Sequence, residues 1–161
     1  MPVYHFTFHA FGSWLPDRPE GYIIRNKGWQ PPSEASTVQY RSNMNQDVVA
    51  FTDDQQQLLL QTLIDCQTHQ CIKLYAIATE PTHIHAVTAW TDDREPEPVR
   101  AQMKYSMTRA LVQAFGKRKW FVQNAGQTQV RDDEHLYELV HHYLPKHHHF
   151  WQPSSNNKTD G

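Results

Sequence analysis

Hydrophobic and polar residues alternate with a period of two in several short stretches of the chain, and this alternation is typical of β-strands. The stretches are VYHFTFHA at 3–10, IKLYAIAT at 72–79 and HIHAVTAWT at 83–91. The turn Glu80-Pro81-Thr82 separates the second from the third. We therefore expect the last two stretches to pair as antiparallel neighbours. We also expect shorter strands near 120–122 and 128–130, on either side of Gly126.

Longer stretches repeat apolar residues every three or four positions, which predicts helices packed on a core. One begins at Thr52, whose hydroxyl can cap a helix, and a second opens at Pro96, since proline is tolerated in a first turn, and ends at Gly116. A third begins at Asp132 or Asp133. Its apolar stripe consists of Leu136, Leu139, Val140, Tyr143 and Leu144, and Pro145 should end or kink it.

The order of these elements is β-α-β-β-α-β followed by an extra C-terminal helix, which predicts an α+β protein with a ferredoxin-like antiparallel sheet. We expect residues 1–151 to form a single domain and residues 152–161, which are polar, to form a disordered tail. Residues 12–51 are irregular and rich in proline, and we expect a short hairpin there, around Tyr22–Arg25.

Composition limits the functional classes. The chain has 161 residues with a formal net charge of −2, which argues mildly against a generic nucleic-acid-binding protein. A basic block nevertheless occupies the second half, from Arg100 to Lys119. No apolar run approaches the length of a membrane span and no export signal is visible, and the only cysteines are Cys66 and Cys71. We therefore expect a cytoplasmic protein without membrane association.

Two histidines on one predicted strand, His83 and His85, suggest a metal site. Side chains alternate across a strand, so these imidazoles lie on one face and Ile84 lies on the other. Imidazole nitrogens are good ligands for divalent ions, and two of them on one face can converge on a single ion. An exposed sheet face that happens to carry two histidines is the alternative.

The pair His83-Ile84-His85 after a proline turn resembles the HUH motif of the single-tyrosine HUH transposases, including the REP-associated tyrosine transposases. The opening HFTFHAFGSWLPDRPEGYIIR resembles the entry strand of that group. The end of the chain, from Trp120 through NAGQTQV to DDEHLYELVHHYL, resembles the segment that carries its tyrosine. The resemblance covers about residues 3 to 151 and implies cleavage and joining of single-stranded DNA through a 5′-phosphotyrosine, with Mg²⁺ or Mn²⁺ held by the histidine pair.

The resemblance also implies roles for individual residues. Tyr143 matches the nucleophile in the last helix, and Tyr137 is its rival; a packed core tyrosine is the alternative reading of Tyr143, because it lies on the apolar stripe. A third metal ligand is expected one helical turn after the tyrosine, which is His147, with His148 and His149 as substitutes. His5 and His9 on the first strand either face the same site or are ordinary sheet histidines.

The DNA contacts that the resemblance implies are less specific. Single-stranded bases stack on aromatic side chains and their phosphates contact basic ones, and the implied partner is single-stranded or hairpin DNA. The candidates for stacking are Trp14, Tyr22 and Trp29. The candidates for phosphate contacts are Arg18, Arg25, Lys117, Arg118 and Lys119. Relatives act either as homodimers that share the tyrosine helix or as monomers, and the sequence does not choose between them.

Two other functions remain open from the residues. A non-catalytic domain that binds single-stranded nucleic acid would need aromatic residues on an open sheet face, and Tyr4, Phe6 and Phe8 are the candidates. A two-histidine phosphoesterase would need two His-x-Thr/Ser pairs. His5-Phe6-Thr7 supplies one, whereas His83-Ile84-His85 does not supply the second.

Overall fold

A five-stranded antiparallel sheet forms the centre of the structure. The computed structural model describes residues 1–13, 22–24, 28–31, 47–123 and 125–154. The strands are β1 (Val3–His9), β2 (Tyr22–Ile24), β3 (Gly28–Gln30), β4 (Lys73–Thr79), β5 (His83–Ala89), β6 (Gly126–Gln129) and β7 (His149–Trp151). The order in the sheet is β6-β1-β5-β4-β7, and β2 pairs with β3 in a separate hairpin. The predicted α+β class and antiparallel sheet are confirmed.

Helices cover both faces of the sheet. They are α1 (Asp53–His69), α2 (Pro96–Phe115) and α3 (Asp133–Glu138), which continues as a π-helix over Leu139–Tyr143 and a 3-10 turn over Leu144–Lys146. Helix α1 begins as expected, because Thr52 and Gln55 form a reciprocal capping box. None of the helices within the described ranges is long and apolar enough to cross a membrane.

The larger core lies between the sheet and helices α1 and α2. Phe6 and Phe8 of β1 point into it and are fully buried, as is Ile84 of β5. The apolar stripes of the helices meet them, including Leu63 of α1 and Met107 of α2. The aromatic residues Phe6 and Phe8 therefore belong to the core, and they do not form an open platform for nucleic-acid bases.

The opposite face of the sheet carries His5, Thr7, His9, His83 and His85, and we call it the histidine face. The register fixes this arrangement, because Thr7 pairs with His85 and His9 pairs with His83 across β1 and β5. A smaller core covers part of the histidine face, where Val87 packs with Leu139, Val140 and Leu144 of the C-terminal helical segment.

The C-terminal helix differs from the regular α-helix that the apolar stripe predicts. The α-helical part ends at Glu138, and the N–H of Leu144 bonds to the carbonyl of Leu139, five residues back. Pro145 follows and has no N–H with which to continue an α-helix. The wider π turn displaces Tyr143 from the stripe, so it is 47% exposed. The interpretation of Tyr143 as a packed core residue is therefore wrong.

Two short β segments lie at the periphery of the fold, and the sequence predicted one of them. The hairpin expected around Tyr22–Arg25 is present as β2 and β3, although Arg25 itself lies outside the described residues. Strand β7 was not expected; it pairs with the edge of β4, with His149 opposite Thr79. Residues 152–154 have no regular structure, and the rest of the expected tail, 155–161, lies outside the described residues.

Candidate active site

Three histidines from separate parts of the chain meet on the histidine face. His83 and His85 come from the start of β5, and His147 follows the 3-10 turn after the C-terminal helix. One potential ligand atom from each lies within 4.8 Å of those from the other two. The ring of His147 stands 5.5 Å from that of His83 and 4.7 Å from that of His85, measured between centroids. The structure thus brings together the candidate ligands His83, His85 and His147.

The hydrogen bonds of this cluster engage the same ring nitrogen in each histidine. Nδ1 of His83 bonds to the hydroxyl of Thr82 at 2.9 Å, and Nδ1 of His147 lies 3.1 Å from the carbonyl oxygen of Leu144. Nδ1 of His85 lies 2.9 Å from Nε2 of His5. Metal-binding histidines commonly use one ring nitrogen for such a partner and the other for the ion. The pattern leaves Nε2 of each of the three histidines as the candidate ligand atom.

His85 carries the clearest sign that a ligand is expected. It is only 4% exposed, and its Nε2 is buried without a hydrogen-bond partner among the described residues. Burying a polar atom without a partner costs free energy comparable to a lost hydrogen bond, so such atoms are rare in proteins. An ion on this nitrogen would satisfy it, and the all-imidazole donor set fits a divalent transition ion.

His5 and Thr7 of β1 support His85 from the neighbouring strand. Both contact its Nδ1, His5 through Nε2 at 2.9 Å and Thr7 through its hydroxyl at 3.1 Å. Burial, together with the neighbouring imidazoles, lowers the pKa of His85 to about 2 and that of His5 to about 4. Both rings are therefore neutral near pH 7, and the neutral form is the one that can bind an ion. His5 therefore contacts the candidate ligand His85 directly.

Tyr143 stands at the edge of the histidine cluster. Its ring centroid is 5.1 Å from that of His147, 5.6 Å from that of His85 and 6.5 Å from that of His5, each in an edge-on orientation. Its half-exposed side chain can meet a molecule arriving from solvent. Tyr143 therefore combines proximity to the candidate ligands with access for a substrate.

The rival tyrosines lie elsewhere. Tyr137 is also exposed, but its ring contacts are with His141 and His142 of its own helix, at 4.3 and 5.6 Å between centroids. Tyr105 lies exposed on α2, on the far side of the sheet. Among the described tyrosines, Tyr143 is the one whose ring contacts the candidate metal ligands.

Of the candidate DNA-contacting residues, some lie outside the described part of the chain, namely Trp14, Arg18 and Arg25. Lys117 is exposed, and Trp29 is 62% exposed in β3. Arg118 donates to the carbonyl of Asp47 and lies over the ring of Trp120, which gives it a structural role as well. Trp120 itself lies next to the end of β1, because its carbonyl accepts a hydrogen bond from the N–H of Phe11.

Part of the basic block has a structural function that its sequence did not reveal. Lys104 of α2 donates through Nζ to the carbonyls of Val122 and Gln123 at 2.6 and 2.9 Å, and Arg100 donates to the carbonyl of Ala125 at 3.3 Å. These cations hold the connection that leads from α2 to β6. They are therefore not free charges on an open helix surface.

The supporting residues Thr7 and Thr82 were missed by sequence reasoning. Thr7 faces His85 only because β1 and β5 pair in one particular register. Thr82 precedes His83 directly, and a hydroxyl next to a candidate ligand is too common to serve as a signal. The alternation of β1 was the available indication, because it places His5 and Thr7 on one face.

Comparisons with known proteins give fold-level neighbours only. Neither a protein-family model nor a curated protein matches the chain. The solved structure of a REP-associated tyrosine transposase bound to a REP hairpin is similar over 89% of this chain and 70% of that chain, with 12% identity and a TM-score of 0.46. A crystal structure of a candidate transposase from Deinococcus radiodurans R1 is similar over 89% of this chain and 88% of that chain, with 13% identity and a TM-score of 0.48. At these values the function has to follow from the residues of this chain.

Proposed function

We propose that this protein is a metal-dependent enzyme of the HUH single-tyrosine type that cleaves and joins single-stranded DNA, with Tyr143 as its nucleophile. The observation that carries the proposal is the contact of the half-exposed Tyr143 ring with His85 and His147. A nucleophile must lie beside the group that binds the reacting phosphate, and the position of Tyr143 next to the candidate metal ligands supports this role. We also propose that the sheet has the ferredoxin-like arrangement and that residues 1–151 form a single domain.

His83, His85 and His147 would hold the ion through their Nε2 atoms. A bound divalent ion supplies Lewis-acid polarisation of a phosphodiester oxygen and stabilises the charge that develops there. Of the two ions expected, three imidazoles favour Mn²⁺ over Mg²⁺, because Mg²⁺ prefers oxygen ligands. Through their contacts with Nδ1, His5 and Thr7 would hold the ring of His85 with Nε2 available to the ion.

The reaction proposed for Tyr143 balances without a further reactant. The phenol oxygen of Tyr143 attacks phosphorus and forms an O–P bond, while the bond between phosphorus and the 3′-oxygen breaks. The phenol proton leaves to solvent, and the 3′-oxygen takes up a proton to give a free 3′-hydroxyl. A 3′-hydroxyl from a second strand then attacks the 5′-phosphotyrosine, which restores Tyr143 and joins the strands. Bond energy is conserved, so no nucleotide cofactor is required.

The DNA would approach from the open side of Tyr143. Hairpin-bearing single strands are the proposed substrates, and Lys117 and Trp29 are candidates for phosphate contact and base stacking because both are exposed. The alternative of a binding domain that stacks bases on β1 is weakened, since Phe6 and Phe8 lie in the core. The contacts of Tyr143 with His85 and His147 within one chain support a proposal in which a monomer carries out the chemistry.

Formation of a covalent adduct tests the proposal. A labelled pool of single-stranded DNA with hairpins is incubated with the protein and Mn²⁺ and analysed on a denaturing gel. We expect a protein–DNA band that is lost in Tyr143→Phe and His83→Ala and kept in Tyr137→Phe, the matched control from the same helical segment. An adduct that survives in Tyr143→Phe would exclude this nucleophile. Binding without any adduct in the wild type would indicate a non-catalytic nucleic-acid-binding domain.

A further inference from the structure

The three consecutive histidines 147–149 are divided between the two faces of the sheet. His147 joins the cluster on the histidine face, whereas His149 lies in edge strand β7 and turns toward the N-terminus of α1. There its Nε2 lies 2.5 Å from a carboxylate oxygen of Asp53. His148 and His149 therefore do not substitute for His147 in the first cluster, and they form a separate group.

Asp53, His148 and His149 bring one ligand atom each to within 4.8 Å of the other two. Two imidazoles and one carboxylate are the donor set of many sites for zinc and other transition ions. The group spans the fold, because Asp53 is the first residue of α1 and the histidines come from the last strand. An ion placed there would join two elements that are 96 residues apart in sequence.

Hydrogen bonds hold both the ring and the backbone of His148 in place. Its Nδ1 lies 3.1 Å from the side-chain carbonyl oxygen of Gln56, which is 1% exposed and is itself fixed by the carbonyl of Phe51 and the hydroxyl of Thr79. Since an amide oxygen only accepts, Nδ1 of His148 donates in this contact, which leaves Nε2 as the candidate ligand atom. The main-chain N–H of His148 also donates to Glu80, which fixes the backbone.

We propose that Asp53, His148 and His149 form a second metal site, separate from the candidate active site, that binds a borderline transition ion of the Zn²⁺ type in preference to Mg²⁺. The ion replaces the direct contact of His149 with Asp53 and fastens β7 to the first turn of α1. Because His147 directly precedes this site, the ion also fixes the position of the third histidine of the first cluster. The site goes beyond the proposed DNA chemistry and does not depend on it.

Zinc stoichiometry tests the site in the full-length protein. The chain is stripped with a chelator and dialysed to equilibrium against ZnCl₂ at low micromolar free Zn²⁺. The double variant His83→Ala/His85→Ala removes the first cluster, and we expect this background to retain one bound ion. Adding Asp53→Asn or His149→Gln should abolish the remaining ion. Asp54→Asn is the matched control, since Asp54 is the next carboxylate in the same helical turn and lies outside the group.

Several outcomes would overturn the second site. Retention of the ion in both Asp53→Asn and His149→Gln, or its equal loss in Asp54→Asn, would mean that the group is only an ion pair and that zinc binds elsewhere. Absence of any ion in the His83→Ala/His85→Ala background would have the same meaning, provided circular dichroism finds the chain folded. Failure of the DNA adduct assay leaves these stoichiometries unchanged, so the two proposals fail separately.

A spectroscopic probe gives a second measurement that a structural role alone would not change. Co²⁺ bound by nitrogen and oxygen ligands absorbs in the visible range, with an intensity that depends on coordination number. We expect visible absorption in the His83→Ala/His85→Ala background that Asp53→Asn removes, together with a Co²⁺-dependent rise in Tm. An unchanged spectrum in Asp53→Asn would contradict the assignment of this carboxylate as a ligand.

Discussion

Replacement of His5 should weaken metal binding at the first cluster although His5 is not itself a proposed ligand. Its Nε2 lies 2.9 Å from Nδ1 of His85 and helps to set the orientation of that ring. Removing such an orienting partner from a ligand typically costs about 10–100-fold in metal affinity. In His5→Ala the hydroxyl of Thr7 remains at 3.1 Å as a second partner. We therefore expect the lower end, a loss of about tenfold, or about 1.4 kcal/mol.

Graded variants separate this orienting role from a general loss of stability. His5→Gln keeps a polar group in place of Nε2 and should recover most of the affinity, whereas the double variant His5→Ala/Thr7→Val removes both partners and should reach the upper end of the range, about 100-fold. His69→Ala, at the far end of α1, is the control for removing a histidine. Binding of Mn²⁺ is measured by the electron paramagnetic resonance signal of the free ion.

Two results would refute the reasoning about His5. One is an unchanged Mn²⁺ affinity in His5→Ala, which would mean that His85 keeps its orientation without this hydrogen bond. The other is an equal loss in His5→Gln and His5→Ala accompanied by an equal fall in Tm, which would indicate disturbed packing of β1. The first result would leave Thr7 or the backbone of β5 as the determinant of the orientation of the His85 ring.

Further predictions concern the scaffold and are checked by thermal or urea unfolding unless stated. Gly12→Ala should lower the free energy of unfolding by about 1–3 kcal/mol, because Gly12 has a φ of +82° and an added Cβ would lie 2.9 Å from a neighbouring valine methyl. A smaller loss is expected for Gly116→Ala, where φ is +100° and the space is open. Equal losses in the two variants would contradict this steric explanation. Thr52→Ala should cost about 1 kcal/mol through loss of the cap of α1, and Thr52→Ser should restore it. Lys104→Met should speed amide hydrogen exchange in the connection that begins at Val122, and unchanged exchange there would show that the cation is dispensable.

The central strands and their histidines were predictable because the relevant signals are local. Alternation in β1 and β5 fixes which side chains share a face, so His83 and His85 had to lie together once the strand was recognised. The same reasoning placed His5 on one face of its strand, but it did not show which neighbouring residue His5 contacts. That contact depends on the antiparallel register of β1 with β5, where His5 pairs with Val87 and Thr7 with His85.

The C-terminal part of the site was less accessible from sequence. A regular α-helix through the stripe would direct Tyr143 into the smaller core, and the π turn that exposes it depends on how Leu139 and Leu144 pack against the sheet. The spacing of four residues from Tyr143 to His147 predicted His147 as a metal ligand. Pro145 lies between them and interrupts the helix, so spacing alone does not fix the direction of the His147 ring. Strand β7 has only three residues, which are too few to show an alternation of apolar and polar positions.

The distribution of burial across the candidate site decides which variants can test the mechanism cleanly. His85 is buried on the sheet, so His85→Ala would create a cavity and remove the contacts that His5 and Thr7 make with Nδ1. In the adduct assay this substitution would confound lost chemistry with lost stability, so it is used only in the metal-binding background, where circular dichroism checks the fold. Tyr143 is half exposed, and no hydrogen bond of its hydroxyl to another described residue is recorded in the structure. Tyr143→Phe should therefore leave Tm and Mn²⁺ affinity nearly unchanged while it abolishes the DNA adduct. A fall in Tm on that substitution would mean that the phenol oxygen has a structural role, and loss of the adduct in Tyr143→Phe would then no longer identify the nucleophile.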